Sequence, residues 1–367
     1  MDIIRFNNPN DSMLMSSGSV VSDITSVMWI ERYRDPGEFT IVAPTASKVQ
    51  EMLPRGCYIS HTETNELMIV ENHEIQEDQG KSGTVTITGR SFETILESRV
   101  VGQNSGFPKS APFTDYTLAS DFVSNQVIKM LGEHILPISG QDPGMVLPYI
   151  HLDNQAINQR TAGERTVPRD NLHKASVDLL AIDDLGIKTI RPSYWNGVST
   201  SYTTIQIHMG IDKSASVSFS YMSGEIISSD YLWSNKNYKN GAIVRGTWVE
   251  VIVTPSQQGS SRKMLYIDAS DVDSSFKDLP TGADYTKVVS DLKQRGRDVL
   301  LKMNDIALTK AEISHQVTQA QYRNTYDLGD TIMVYGDYNE TAKMRVIEFV
   351  ESWDSNGFVG YPTLVNL

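Results

Sequence analysis

The sequence predicts an α+β, predominantly β fold, with two similar antiparallel β-barrels, a helical insertion domain and a smaller strand-helix insertion. Apolar residues alternate at period two through the first hundred positions and again near the end. Two distant stretches share one order of turn, strand, long strand and closing strand. Helical periodicity is confined to a few segments. At 367 residues the chain exceeds the roughly 250–300 residues at which single cores stop growing, so two to four modules are expected.

The first alternation runs through Val27-Met28-Trp29-Ile30, Phe39-Thr40-Ile41-Val42, Leu67-Met68-Ile69-Val70 and Thr84-Val85-Thr86-Ile87-Thr88. Asp35-Pro36-Gly37, Pro54-Arg55-Gly56 and Gly80-Lys81-Ser82-Gly83 separate these strands with turn chemistry, at the short spacing of an antiparallel barrel or sandwich. A short helix from Ser91 to Arg99, with Phe92, Ile95 and Leu96 on one face, closes this first barrel, residues 1–105. The helical insertion, residues 106–203, carries two amphipathic helices. Leu118, Phe122, Ile128 and Leu131 mark the first, and Leu172, Ala175, Leu179 and Ile182 the second. Asp170 or Asn171 caps the second helix, and Gly186 is placed to end it in the left-handed conformation. The prolines around these helices predict long polar loops.

Strands resume at 203–209 and 217–220, then at 242–244, 249–253 and 264–267. A third helix, about Tyr285 to Met303, aligns Val288, Val289, Leu292, Val299, Leu300 and Met303, with Gly296 where a bulky side chain would crowd a neighbour. The strand-helix insertion is residues 241–306, and the second barrel is assembled from 204–240 and 307–367. Three strands finish the chain, at 331–335, 343–350 and 358–364. Leu53 to Ile59, Leu67 to Glu71 and Gly83 to Ile87 match Tyr326 to Ile332, Lys343 to Glu348 and Gly357 to Gly360 in order, with differences in loop length. Two barrels of one kind explain this, and two unrelated meanders would share the same order.

Hydrophobic residues at 40% and charged residues at 21% are the proportions of a chain that folds throughout. With 32 Lys+Arg against 45 Asp+Glu, the formal charge of −13 repels a phosphate backbone and argues against stable nucleic-acid binding. Cys57 is the one cysteine, which excludes an internal disulfide and a cysteine-based metal site, and it reads as a small buried hydrophobe. The N-terminal residues lack the basic and apolar regions of a secretory signal, and no apolar run approaches a membrane span, so synthesis and folding in a cytoplasm without a membrane anchor is expected.

No HExxH, Walker, GxSxG, GxGxxG or Cys-rich metal motif occurs, so neither a catalytic residue, a metal nor a cofactor is assigned. His61, His73, His134, His151, His173, His208 and His315 are scattered, without the i, i+4 helix spacing of a metal pair. Asp268, Asp271 and Asp273 could offer oxygen ligands to calcium. They lack the central glycine and distal glutamate of an EF-hand loop, and a solvated turn is the alternative. Glu71, Glu74, Glu348 and Glu351 are expected on solvated strand faces. Tyr194-Trp195, Tyr231, Trp233 and Tyr238 read as core or interface, with a glycan-stacking surface as the alternative.

Trp29 to Ile41 contains the turn Pro36-Gly37 followed by Phe39, and Val85 to Phe92 contains Gly89-Arg90-Ser91 before a segment ending Arg99-Val100-Val101. Further landmarks are Met209-Gly210-Ile211-Asp212-Lys213-Ser214, Tyr238-Lys239-Asn240, Leu292-Lys293-Gln294-Arg295-Gly296 and Tyr326-Asp327-Leu328-Gly329-Asp330. In this order they resemble the siphophage tail-hub family, over nearly the whole chain except Gly102 to Pro168, where no landmark is found. The resemblance implies structural landmark roles for Pro36, Gly37, Phe39, Gly89, Arg90, Arg99, Gly210, Asp212, Asn240, Gly296, Leu328, Gly329 and Asp330.

It further implies a homotrimer with two tube-like barrels per subunit, located at the virion tail tip. Such a ring joins the distal tail protein and the tail tube or tape-measure protein to a tip or receptor-binding fibre protein. Six similar barrels would adapt a sixfold tube to a threefold tip and line a channel through which DNA passes without stable binding. Recognisable hubs sometimes continue into a lytic domain. This chain stops a few residues after its last predicted strand and leaves no room for one, so a non-enzyme is expected. The alternatives are a tail-associated cell-wall hydrolase and a glycan-binding adhesion module using Tyr194-Trp195.

Overall fold

The computed structural model describes residues 2–6, 19–77, 83–102, 116–137, 144, 146–147, 149–153, 157, 161–191, 194–195, 198–199, 203–234, 236, 238–253, 258–270, 272–273, 276–301, 303, 306–313, 321–336 and 341–366. Its first module contains β1 (Ile3–Phe6), β2 (Ser19–Val21), β3 (Ser26–Arg32), β4 (Glu38–Pro44), α1 (Val49–Met52), β5 (Tyr58–His61), β6 (Met68–Gln76) and β7 (Thr84–Ser91). The period-two alternation fixes the inner face: Val27 and Trp29 on β3, Phe39, Ile41 and Ala43 on β4, and Val85 and Ile87 on β7 are all buried. Trp29 stacks on Phe39 at 5.7 Å and 25°. The expected helix at Ser91 to Arg99 forms as a 3-10 helix, Phe92–Ser98, with Phe92 and Leu96 buried.

The next stretch contains β8 (Tyr116–Leu118), β9 (Asp121–Phe122), α2 (Val123–Ile135), β10 (Ile150–Asp153), β11 (Thr161–Ala162), β12 (Arg165–Val167), α3 (Leu172–Leu180), β13 (Gly186–Ile190), β14 (Tyr194–Trp195), β15 (Val198–Ser199) and β16 (Thr203–His208). Leu118 and Phe122, expected on the first helix, instead lie on β8 and β9, because β12 and β11 take up their backbones. Asn171 caps α3, its side-chain oxygen accepting from the Lys174 N–H at 2.6 Å. Gly186 does not end that helix. Asp184 takes the left-handed turn at φ 55, and Gly186 opens β13, where a Cβ would meet the Tyr33 ring at 2.4 Å. β16 pairs with β13 and β10, which places residues 204–208 in the insertion's sheet and not among the second module's strands.

The remainder contains β17 (Ser218–Ser220), β18 (Ile226–Ser234), β19 (Gly241–Arg245), β20 (Glu250–Val253), β21 (Met264–Asp268), α4 (Gly282–Leu301), β22 (Ile306–Ile313), β23 (Thr331–Tyr335), β24 (Thr341–Asp354) and β25 (Gly357–Asn366). β20, β19 and β21 form a small sheet on which α4 packs with Val288 and Leu292 buried. At Gly296 a Cβ would sit 2.6 Å from a Val253 methyl and 2.7 Å from a Val244 methyl, so glycine sets the helix-to-sheet distance. β18 pairs with β22 across this inserted unit.

The expected pair of closed barrels is not what the pairing traces. Among the described residues no sheet closes. One eleven-stranded sheet runs β17-β23-β24-β3-β4-β7-β6-β5-β1-β2, with β25 beside β24. The halves join because β24 is fourteen residues long, and the part that outruns β23 pairs antiparallel with β3, from Glu348 opposite Arg32 to Trp353 opposite Val27.

The two meanders nevertheless repeat one local geometry. Gly56 N–H donates to the Val70 carbonyl at 2.7 Å and Val70 N–H to the Cys57 carbonyl at 3.0 Å. Gly329 N–H likewise donates to Val346 at 2.7 Å and Val346 N–H to Asp330 at 3.0 Å. Both glycines are left-handed, at φ 83 and 86. The register then shifts between Val70 and Asn72 on β6, and between Val346 and Glu348 on β24.

Candidate functional site

β3 carries Glu31 on the same face as Val27, Trp29 and Tyr33, so strand alternation drives a carboxylate into the seam between the halves. From β24, Glu351, whose register partner is Trp29, enters the same seam, and both glutamates are buried. The guanidinium of Arg323 joins them, donating to Glu31 Oε1 at 2.8 Å and to Glu351 Oε1 and Oε2 at 2.8 and 2.9 Å. Thr64 Oγ1 donates to Glu31 Oε1 at 2.5 Å, Trp29 Nε1 to the same oxygen at 3.2 Å, and Tyr322 OH to Glu31 Oε2 at 2.7 Å. The Tyr322 ring stacks on Phe349 at 3.9 Å and lies under the Arg323 guanidinium. His61 accepts the Glu63 N–H on Nδ1, and its Nε2 faces Glu351 Oε2 at 3.2 Å in an electrostatic contact.

Burial pushes the Glu31 carboxyl up, but Arg323, Thr64, His61 and Tyr322 together hold it below its ordinary value, so it stays ionised. Burial lowers Arg323 and the two glutamates more than reverse this. Glu66 is pushed up by burial and by the nearby Glu31 and Glu93, which favours its neutral form. Glu31, His61 and Glu351 converge as three metal ligands would. Their oxygens already serve Arg323, whose fixed positive charge would oppose a cation at the same point. The arrangement is therefore a largely buried charge clasp tying β3 and β5 to β24 and the 321–330 segment.

The landmark residues lie at several separate points of the fold, some of them beside this seam. Arg32 donates to Glu348 on β24 at 2.6 Å, to the Pro36 carbonyl at 2.8 Å and to Glu38 at 2.7 Å, so the Pro36-Gly37 turn is held against the second half. Gly37 N–H donates to Ser91 Oγ at 2.7 Å. At Gly89 a Cβ would lie 1.8 Å from the Ile69 carbonyl oxygen and 2.7 Å from the Phe39 ring. Arg90 bridges Glu71 and Glu97, and the Arg99 carbonyl accepts the Leu172 N–H at 2.8 Å. Asp330 accepts from the Ile211 N–H at 2.7 Å and the Asp327 N–H at 2.9 Å, and Leu328 beside it is buried. Asp212 pairs with Lys343 at 2.7 Å, both exposed, and Asn240 latches Ser261 and Lys263.

Tyr33 is the pivot where three parts of the chain meet. Its ring contacts Gly186 and Gly329, its hydroxyl donates to the Asp184 carbonyl at 2.6 Å, and Gly210 N–H reaches that hydroxyl at 3.3 Å. His208 packs edge-on against it at 5.0 Å, and both ring nitrogens of His208 are sealed from solvent. Burial, then Lys188, pushes His208 from 6.5 down to about 3. The folded chain keeps it neutral while the unfolded chain takes a proton below 6.5, so its contribution is intact above that pH and lost as pH falls toward 3. Urea unfolding at pH 7 and pH 5 should show a loss of about 2 kcal/mol, largely removed in His208→Gln. An equal loss in the variant would remove His208 from this account.

Of the acidic cluster, Asp271 lies outside the described residues. Asp273, expected in a solvated turn, is fully buried, its carboxylate accepting the N–H groups of Thr247, Trp248 and Val249 at 2.5, 2.9 and 3.1 Å, so it closes the β19–β20 hairpin. Asp268 caps its own turn at Ser270. Glu351 is buried rather than solvated, and Glu348 and Glu71 serve Arg32 and Arg90, while Glu74 is exposed. The side chains of Tyr194, Trp195, Tyr231 and Trp233, and all of His315, lie outside the described residues. Sequence reasoning missed Glu31, Arg323 and Tyr322. A glutamate in phase with Val27, Trp29 and Tyr33 was the available signal.

Comparison with known proteins places this geometry. The model of the Siphovirus ReqiPepy6 Gp37-like protein family matches residues 12–364. No curated protein matches the chain. Among solved structures, the 43 kDa tail protein of prophage MuSo2 from Shewanella oneidensis is 11% identical with a TM-score of 0.58, over 100% of this chain and 98% of its own. The tail protein from Neisseria meningitidis MC58 is 9% identical with a TM-score of 0.57, over 100% and 97%. Prophage tail protein gp18 from Listeria monocytogenes EGD-e is 10% identical with a TM-score of 0.54, over 100% and 95%. At these identities the likeness is one of fold, and no helix among the described residues is long and apolar enough to cross a membrane. With a family match across nearly its whole length and a fold shared end to end with phage tail proteins, the chain belongs to the Siphovirus ReqiPepy6 Gp37-like family.

Proposed function

We propose that this phage tail protein, a structural component of the virion tail, is the hub of the tail tip and works as a homotrimeric ring. The observation that carries the reading is the repeated turn and bulge of the two meanders, Gly56 with Val70 and Gly329 with Val346, within one chain and one sheet. Three copies of a chain with two matching halves present six similar faces, which lets a threefold tip dock on a sixfold tube. The partners on this reading are the distal tail protein, tail tube or tape-measure protein above and a tip or receptor-binding fibre protein below. The ring surrounds the path of DNA during ejection, and the net charge of −13 favours passage without phosphate contacts. Function then resides in interface geometry and not in a catalytic site, which is why the landmark residues from Pro36 to Asp330 gather at turns and seams. The clasp at Arg323 fixes the angle between the halves, and that angle sets whether three copies close. Native mass spectrometry of the purified chain, alone and with its distal tail protein, should give a three-subunit species. A monomer that persists beside the distal tail protein would contradict the reading.

A further inference from the structure

The two meanders differ in what covers the far part of the long strand. On β24 the residues beyond the bulge pair with β3. On β6 the matching residues, Asn72–Gln76, pair with β7 on one side and with no strand on the other among the described residues. Ile75, five residues past Val70 as Glu351 is five past Val346, is 53% exposed on that open edge.

The converse holds for the strand that fills the edge. β3 opens a hairpin whose second strand, β4, pairs with the closing strand β7. β18 opens a pair whose second strand, β22, runs beside the closing strand β25. β3 is paired on both sides, with β4 and β24. β18 is paired on one side only among the described residues. Each chain therefore offers an open long-strand edge in its first half and an open hairpin-strand edge in its second, and its own seam shows how such edges join.

We propose that β18 of one copy pairs antiparallel with residues 72–76 of β6 in a second copy, repeating between chains the β3–β24 seam found within the chain. The inference rests on the hub reading and names the surface that closes the ring. A head-to-tail joint of two different edges generates a ring when the rotation closes, and in a closed ring every copy has both of these edges paired. Neither segment carries the Lys, Arg or Pro with which solitary proteins protect a strand edge: 72–76 reads Asn-His-Glu-Ile-Gln, and 226–234 reads Ile-Ile-Ser-Ser-Asp-Tyr-Leu-Trp-Ser. Where the internal seam buries Glu351 and needs Arg323, the matching position between chains holds the apolar Ile75.

Hydrogen exchange and native mass spectrometry on the full chain across a concentration series test this, with Ile75→Lys and Ile75→Pro as variants. Proline is tolerated on edge strands, and Lys at an exposed position keeps the fold, so a loss of assembly in both is not a failure to fold. The expected result is a trimer whose amides at 72–76 and 226–234 gain protection together as it forms, and whose assembly is weakened about tenfold or more in both variants with the melting temperature of the dissociated chain unchanged. A trimer with those amides unprotected, or one that both variants leave intact, overturns the pairing and leaves the hub reading standing. A chain that stays monomeric at every concentration and beside the distal tail protein overturns both.

Discussion

Arg323→Ala should destabilise the folded chain by about 3–5 kcal/mol, the cost of removing one partner from a buried ion cluster. Glu31 and Glu351 are both buried, and Arg323 donates to each at 2.8 Å. Without it, Tyr322, Thr64 and Trp29 still reach Glu31, but Glu351 loses both of its guanidinium hydrogen bonds and keeps only the 3.2 Å approach of the His61 ring among the described contacts. The two carboxylates then repel across the seam or take up protons, and either outcome costs stability at neutral pH. Because the damage is uncompensated charge, Arg323→Met combined with Glu31→Gln and Glu351→Gln should recover more than half of the loss, and urea unfolding measures both. A loss below about 1 kcal/mol in the single variant would mean that the clasp is not what ties the halves together.

The second large effect separates the two copies of the glycine turn. Gly56 and Gly329 share φ values of 83 and 86 and the same pair of backbone hydrogen bonds. A Cβ at Gly56 would have nothing within 4 Å, whereas at Gly329 it would lie 2.2 Å from the Tyr33 ring. Gly56→Ala should therefore cost about 1 kcal/mol, the backbone term alone. Gly329→Ala should cost about 3 kcal/mol or more, since Tyr33 is wedged against Gly186 and has no direction in which to move. Paired denaturation curves read the difference directly, and equal costs would show that Tyr33 is not a fixed pivot.

Period-two patterns identified β3, β4, β6, β7, β23, β24 and β25 because each has one apolar face, and the α4 stripe with Gly296 was legible at period 3.6. Alternation states which face is buried and not which strand is the neighbour. Pairing across a sequence separation of 316, from Arg32 to Glu348, was therefore out of reach, and closed barrels were expected where no sheet closes among the described residues. β18 and β22 were missed because Ile226-Ile227-Ser228-Ser229-Asp230 follows neither period. Gly186 was read as a helix end because glycine's conformational freedom is visible in a sequence, while its role here is to leave room for Tyr33, which only the tertiary structure supplies. Glu351 looked solvated for a related reason: a buried carboxylate is distinguished from an exposed one by its partner, and Arg323 comes from a separate segment.

A cryo-EM map of the intact tail tip is the most direct test of the whole account. Three copies of this chain should form one ring, with the six meanders built on Gly56 and Gly329 at one radius and near-equal angular spacing, alternating first half and second half. Six copies of the chain, or halves lying at different radii, would contradict it.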